Sequence, residues 1–460
     1  MKGKRTVFLL VLLLLIQSLA LAAGGGPKLR VGLAVDQFAA QVSSAGKIKV
    51  VDSRGKTTVL NPGSHFISVK NGSLYADQKK LEGSQVSLVA ADARNPVLVH
   101  QKKYRGALTV LLNSGKKNLN VVNTLPLEQY LYGVVAKEVL PLWPDEAIKA
   151  QAVAARSFAL YSLEHGKYPN FDIRSNELGQ VYGGLSAEHA NTSRLVDATS
   201  GVAALYQGEP IQAVFHSSGG GYTEAASAVW GKDIPYLQAV PDYDQDSPKF
   251  SWTRTFTKVQ LTRLLSQGGY DLGDLQGIRL SARTAAPMRW TPDRGISGRV
   301  KRLTFVGSKR SVTLTGSQVR SLLDLNSTLF DIQIGLERPK ELDVTITNGY
   351  GYPIGKKTIP IGGGKKDGTD GASVGDMRLF SNVEGEKVII SGNGFGHGVG
   401  LSQWGARGMA LQKKKNSYRT ILSHYYRGIT LKQVFLSITS SREESRGSTG
   451  VWAISSCGRS

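Results

Sequence analysis

The chain reads as an α+β protein: a β-rich chain with one helical segment and a small β module ahead of it. Three observations carry that reading. Short β-type runs separated by Gly, Asn and Ser turns extend from Lys28 to about Val97. One stretch, "LYGVVAKEVLPLWPDEAIKAQAVAARSFALYS", reads as a helix, a proline break and a second helix. Beyond it, helical and strand patterns intermingle without βαβ regularity or internal repeat.

Residues 1–23 read as an export signal: the basic "MKGKR", the apolar "TVFLLVLLLLIQ", and a small-residue exit with Ala20 and Ala22 in an A-x-A arrangement. Cleavage is the expectation. Left uncleaved, the stretch nearly reaches the ~20 apolar residues of a membrane anchor. No Cys follows the apolar run, which excludes a lipoprotein anchor. Residues 27–98 follow as the small β-rich module, with runs such as "KLRVGLAV" and "SQVSLVA". A larger domain is expected over 99–432. It opens with a hairpin in "YRGALTVLLNSGKKNLNVVN" and the two helices, and continues with a second hairpin in "SGVAALYQGEPIQAVFHSS". "TKVQLTRLLSQGG" then carries helical spacing, "RVKRLTFVGSKRSVTLTG" a third hairpin, and "GSQVRSLLDL" a short capped helix. Residues 362–376, rich in Gly and Lys, read as a flexible loop, and 437–460 as a disordered tail.

The formal charge is +22, and loss of Lys2, Lys4 and Arg5 with the signal leaves +19. An exported, basic protein suits an anionic matrix outside the cytoplasm, such as a bacterial wall or the outer face of the membrane. There is no arginine-rich helix or zinc-finger spacing, so no nucleic-acid partner is expected. The single cysteine, Cys457, permits neither a disulfide framework nor a thiolate metal cluster.

Glu138 falls on the wrong face of its helix. At ~100° per residue, Leu127 and Leu131 lie within ~20° of it and Val134 ~40° away, whereas Glu128 and Lys137 point away from that stripe. Burying an unpaired carboxylate costs several kcal/mol, and the usual escape is a raised pKa. Pro141 ends the helix just beyond, so Glu138 sits at a helix end beside a bend, where a cleft is natural. Such a carboxyl suits a general acid. The competing reading is a structural glutamate neutralised by a buried arginine, with Arg156 the suspect, and spacing leaves the two level. Ile148, Ala152, Ala155 and Ala159 give the second helix a small-residue stripe for close packing.

"GNGFGHGVGLSQWGARGMAL" places His397 between two of its glycines, where a loop approaches a ligand closely. It fails the dinucleotide fingerprint G-x-G-x-x-G. Ser402 suits the cap of a helix carrying Gln403, Trp404 and Arg407, groups able to stack on a sugar face or donate to hydroxyls and carboxylates. The alternative is a tight turn with Trp404 in the core. In "FHSSGGGYTE", a supporting role for His216 or Glu224 is more credible than a serine nucleophile at Ser217.

Taken together, "LPLEQYLYGVVAKEVLPLWPDEAIKAQAVAARSFAL", "VFHSSGGGYTE", "VWGKDIPYLQAVPDYD", "SGRVKRLTF" with "LTGSQVRSLL", and "GNGFGHGVGLSQWGARGMA" resemble the stage II sporulation protein D / LytB (amidase-enhancer) family, from about Tyr104 to Gly428. By motif position, the resemblance implies that Glu138 is the catalytic residue of a lytic transglycosylase. The implied reaction cleaves the N-acetylmuramic acid to N-acetylglucosamine bond of peptidoglycan, preferably in strands stripped of stem peptides by a partner amidase, and leaves 1,6-anhydro ends. Its setting would be sporulation, engulfment or wall remodelling. Arg156, His216, Tyr222 and the His397 loop are the expected helpers. The alternative that the resemblance leaves is a non-catalytic, wall-binding amidase enhancer. Some relatives bind zinc through Cys and His in the segment ending Q-V-Y. Here "FDIRSNELGQVYGG" has Arg174, Leu178 and Gly179, so no metal or other cofactor is expected.

Overall fold

The computed structural model describes residues 26–336, 341–347, 353–360, 373–374, 376–381, 385–412 and 416–435. The expected export signal, the tail at 437–460 and most of the loop at 362–376 lie outside the described residues.

Strand Lys28–Gln37 starts with the alternation its sequence dictates: Leu29 and Val31 are buried, Lys28 and Arg30 exposed. It pairs antiparallel with Leu119–Pro126 and, on its other edge, parallel with Ile173–Arg174. These strands belong to a seven-stranded sheet that also takes in Ala107–Leu112, Gln85–Ala90, Ile48–Asp52 and Thr57–Leu60. A six-stranded sheet packs against it, and Ala40, Val42 and Ile67 share one core with Val50, Val86, Val110 and Val121. The pairing of the first strand with Leu119–Pro126 carries the N-terminal sheets past residue 98 rather than closing them there. Both edges of the six-stranded sheet are two-residue lysine strands, Lys79–Lys80 and Lys102–Lys103, which blunt edge-to-edge association.

The hairpin at 107–126 forms in full register, from Ala107↔Thr124 to Leu112↔Leu119. Its second strand runs directly into helix Leu127–Glu138, with Pro126 at the N-cap position and no side-chain capping bond. Val139 is already extended (φ −134°, ψ 154°), because Pro141 disfavours helical backbone at Leu140 and lacks the N–H to continue. Pro144 then leads into the long helix Asp145–Glu164, whose first turn places Asp145 and Glu146 at the positive end of the dipole.

This long helix is buried on two sides. Ile148, Ala152, Ala155 and Ala159 pack with Leu127, Leu131 and Val134 of the first helix. Ala147, Ala150, Val153 and Ala154 pack with Val399, Leu401, Ala406 and Tyr425 from the C-terminal part. Small residues on both faces let the two halves of the chain approach one rod.

Helix Lys258–Gln267 and helix Gly316–Leu322 each start with a capping box, Thr257 with Gln260 and Thr315 with Gln318. The third hairpin forms as expected, Arg302–Gly307 against Ser311–Thr315. The second forms only beside its turn. Val202–Tyr206 pairs with the short Glu209–Pro210 and with Thr430–Gln433, while Phe215–His216 turns away to pair in parallel with Leu401–Ser402. The arrangement is α+β, with mostly antiparallel sheets and interspersed helices. Among the described residues no helix is long and apolar enough to cross a membrane.

Candidate active site

Because its helix stops at Glu138, that side chain projects from a helix end into a cleft of about 660 Å³. Its two oxygens are held by opposite ends of the chain. Oε1 accepts from the backbone N–H of Val181 at 3.3 Å, and Oε2 accepts from Nε2–H of Gln403 at 3.1 Å. Burial holds the carboxyl above its ordinary value of 4.5; the Gln403 and Val181 donors pull the other way, and the charge of Glu177 adds to the rise. Among the described residues Glu138 has no ion-pair partner.

Gln403 is placed by its own helix start. Helix Gln403–Leu411 begins at Ser402, whose Oγ accepts from Gly405 N–H at 3.1 Å. The parallel bridge His216↔Ser402 fixes that cap beside His216. The Val181 wall is fixed by Gln180, which accepts from Tyr130 Oη–H at 3.1 Å and donates to the Ala155 carbonyl at 3.2 Å.

His216 is buried yet lines the cleft. Nδ1–H donates to the Val399 carbonyl at 3.1 Å, which leaves Nε2 as the acceptor, and Nε2 has no protein partner. Burial first, then His397 and the Arg299 charge, keep its pKa well below 6.5, so the ring is neutral. His397 uses both nitrogens: Nε2–H donates to the Phe215 carbonyl at 3.0 Å and Nδ1 accepts from Val399 N–H at 3.0 Å. Burial and Arg299 push its pKa down to about 4. It therefore offers a ring face, 5.3 Å from the ring of Trp230.

Five residues singled out in the sequence lie elsewhere. Arg156 is fully buried, with Nε and Nη2 each 2.7 Å from the carboxylate of Glu128 and further bonds to the carbonyls of Val202 and Val196. It neither lines the cleft nor neutralises Glu138. Glu128, expected away from the buried stripe, is itself 8% exposed and pinned there. Glu224 is buried, accepts from Ser297 Oγ–H at 2.6 Å, and supports the histidine loop through its N–H to Gly398 O at 2.7 Å. Tyr222 bridges to Pro241 through its backbone, outside the cleft. Trp404 packs edge-on against Trp143, with ring centroids 5.0 Å apart, and Arg407 lies over Trp404 and pairs with Asp246 at 3.0 Å.

Sequence reasoning missed other parts of the cleft. Trp230 and Phe395, 46% and 39% exposed, stand on its rim, and Arg320 lines its wall. It also missed Asp242 and Asp244, buried in "PDYD". Asp244 accepts from Ser218 Oγ–H, from Gly220 N–H at 2.7 Å and from Gly221 N–H at 2.9 Å, while Asp242 accepts from Gly219 N–H at 3.0 Å. Burial and the neighbouring Asp244 raise the pKa of Asp242. The pair clamps the glycine run that follows His216. A tryptophan next to the Gly231-Lys232 pair was the available signal for Trp230; the carboxylate clamp left none.

Residues 177–181 form one wall of the cleft. Among the described residues no cluster of three or more His, Cys, Asp or Glu is placed to hold a metal ion.

Fold and site together define an α+β protein whose cleft joins one desolvated carboxyl to an aromatic rim. Residues 115–206, which include Glu138, match the family model of the stage II sporulation protein, and residues 236–355 match a domain of unknown function. The chain is 30% identical over 335 residues to the stage II sporulation protein D of Bacillus amyloliquefaciens, covering 69% of this chain and 77% of that one. It is 29% identical over 332 residues to the stage II sporulation protein D of Bacillus subtilis (strain 168), covering 68% and 76%. Against the amidase enhancer of the same Bacillus subtilis strain it is 29% identical over 384 residues, 80% of this chain but only half the length of that protein. The chain belongs to the stage II sporulation protein D family.

Proposed function

We propose that the protein is an exported peptidoglycan lytic transglycosylase with Glu138 as its single acid and base. The observation that carries this reading is the carboxyl itself: at a helix end, in a cleft, raised in pKa by burial, and held by a neutral donor on each oxygen rather than by a cation. Protonated Glu138 donates to the glycosidic oxygen, and the bond to C1 of N-acetylmuramic acid breaks. The resulting carboxylate, steadied by Val181 N–H and Gln403, removes the proton of the sugar's 6-hydroxyl. O6 then bonds to C1 and closes a 1,6-anhydro ring. The proton returns to Glu138 and no water is consumed, so the second carboxylate of a hydrolase is unnecessary. The faces of Trp230 and His397 suit the apolar face of a sugar ring.

Incubation of peptide-free glycan strands with wild type and with Glu138→Gln tests this. Wild type is expected to yield anhydro-muramic ends by mass spectrometry, and the variant to lose ~10²–10⁴-fold of that rate. Full activity in Glu138→Gln overturns the assignment. A second reading, an amidase-stimulating wall protein without turnover of its own, is favoured by the named amidase enhancer among its relatives and by the basic charge. Wild type that makes no anhydro ends yet raises the turnover of a cell-wall amidase decides for it.

A further inference from the structure

Arg320 lines the same cleft as Glu138, yet it comes from helix Gly316–Leu322, within the part of the chain that matches a domain of unknown function. Its Nε–H is tied to the Leu325 carbonyl at 3.2 Å, which fixes the guanidinium plane. Its two terminal nitrogens have neither a carboxylate nor a hydrogen-bond partner among the described residues. Three arginines described above spend charge or donors internally: Arg156 on Glu128, Arg407 on Asp246, and Arg299 through one nitrogen on the Gly219 carbonyl at 2.7 Å. Lys137, the other cation on the cleft wall, is solvent-exposed, and Glu177, which also lines the cleft, carries the opposite charge. Arg320 is half-buried and close enough to His397 and Arg299 to act on both electrostatically. A half-desolvated guanidinium with an open fork is a site for a planar oxyanion.

We propose that Arg320 binds the lactyl carboxylate of N-acetylmuramic acid and is the residue by which this cleft distinguishes peptide-free strands. This rests on peptidoglycan being the substrate. The chemistry supplies the discrimination. In a peptide-bearing strand the lactyl carbonyl is an uncharged amide; hydrolysis of that amide leaves a carboxylate on the 3-O-lactyl ether. A fork that requires the anion thus ranks substrates by whether an amide hydrolysis has preceded, without any contact to the missing peptide. A peptide-linked lactyl group would leave the guanidinium without its anion in a partly desolvated wall.

The test uses full-length Glu138→Gln protein, so that binding is read without cleavage. Its probes are peptide-free oligomers of alternating N-acetylglucosamine and N-acetylmuramic acid, with lactyl carboxylates either free or converted to methylamides. By calorimetry the free-acid oligomer is expected to bind about tenfold more tightly than the methylamide. With Arg320→Gln added, the two probes bind equally, at the affinity of the methylamide; with Arg320→Lys, part of the preference survives. A preference retained in Arg320→Gln overturns the proposal, as does its absence from the Arg320 protein, or loss of both probes in the Gln and Lys variants alike. The catalytic reading stands or falls separately, on anhydro ends from the Glu138 protein: binding with the stated preference but no anhydro product sinks the enzyme and leaves the carboxylate site.

Discussion

Glu128 and Glu138 begin and end the same helix and meet opposite fates. Glu128 is buried against Arg156, whose guanidinium spans both carboxylate oxygens at 2.7 Å. Gly201 N–H adds a bond to the same carboxylate at 3.2 Å. Glu138 has only neutral donors, and burial holds its pKa above the ordinary value against the pull of those two hydrogen bonds. Removing one partner of a buried pair strands the other, so Arg156→Ala is expected to lower unfolding free energy by ~3–5 kcal/mol in chemical denaturation. Arg156→Ala with Glu128→Leu should recover most of it. A double variant no more stable than the single one would contradict the pairing argument. Helical angles alone put Glu138 on the apolar stripe, but left open which carboxylate Arg156 neutralises. That choice depends on how two helices cross and on the carbonyls of Val196 and Val202, none of which one helix's periodicity contains.

At the scale of elements, the decisive contact is between two loops nearly 200 residues apart. The segment around His397 threads along the 214–220 strand end, and its alternate glycines face backbone or side chains at close range. At Gly398 (φ +80°) an added Cβ would lie 2.1 Å from Arg299 Nε. Gly208 (φ +93°) has nothing within 4 Å of such a Cβ. Both Gly→Ala changes carry the left-handed backbone cost of ~1–2 kcal/mol, but only Gly398→Ala must also displace a buried arginine. Gly398→Ala should therefore lower Tm by several degrees more than Gly208→Ala and depress cleavage of glycan strands, with Gly208→Ala leaving cleavage intact. Equal Tm losses in a differential scan would show that the close approach does not matter. The glycine alternation and the cap at Ser402 were legible in the sequence, because both are local. What the loop packs on was not: Phe215–His216 looked like the return strand of a hairpin and instead takes Leu401–Ser402 as its parallel neighbour. A two-residue strand carries no periodicity that could announce a partner so far away.

Across the whole molecule, the α+β class was legible because strand alternation and the helix–proline–helix stretch are strong local patterns. The way the halves join was not. The seven-stranded sheet recruits 107–126 and Ile173–Arg174 to the N-terminal strands, and the long helix is shared by two cores. The cleft exists only in that assembled state, since Glu138, Val181, His216, Arg320 and Gln403 converge from across the chain. The sign of the acid's pH dependence follows. A carboxyl whose folded pKa is raised donates a proton below that value and loses the ability as pH rises through it. The most direct measurement is the rate of anhydro-end release from peptide-free strands as a function of pH, with wild-type protein and substrate well below KM. The account predicts a rate that falls with rising pH about a midpoint above the ordinary glutamate value of 4.5, and no such limb in the residual activity of Glu138→Gln. A rate that is flat or rises through that range would contradict it.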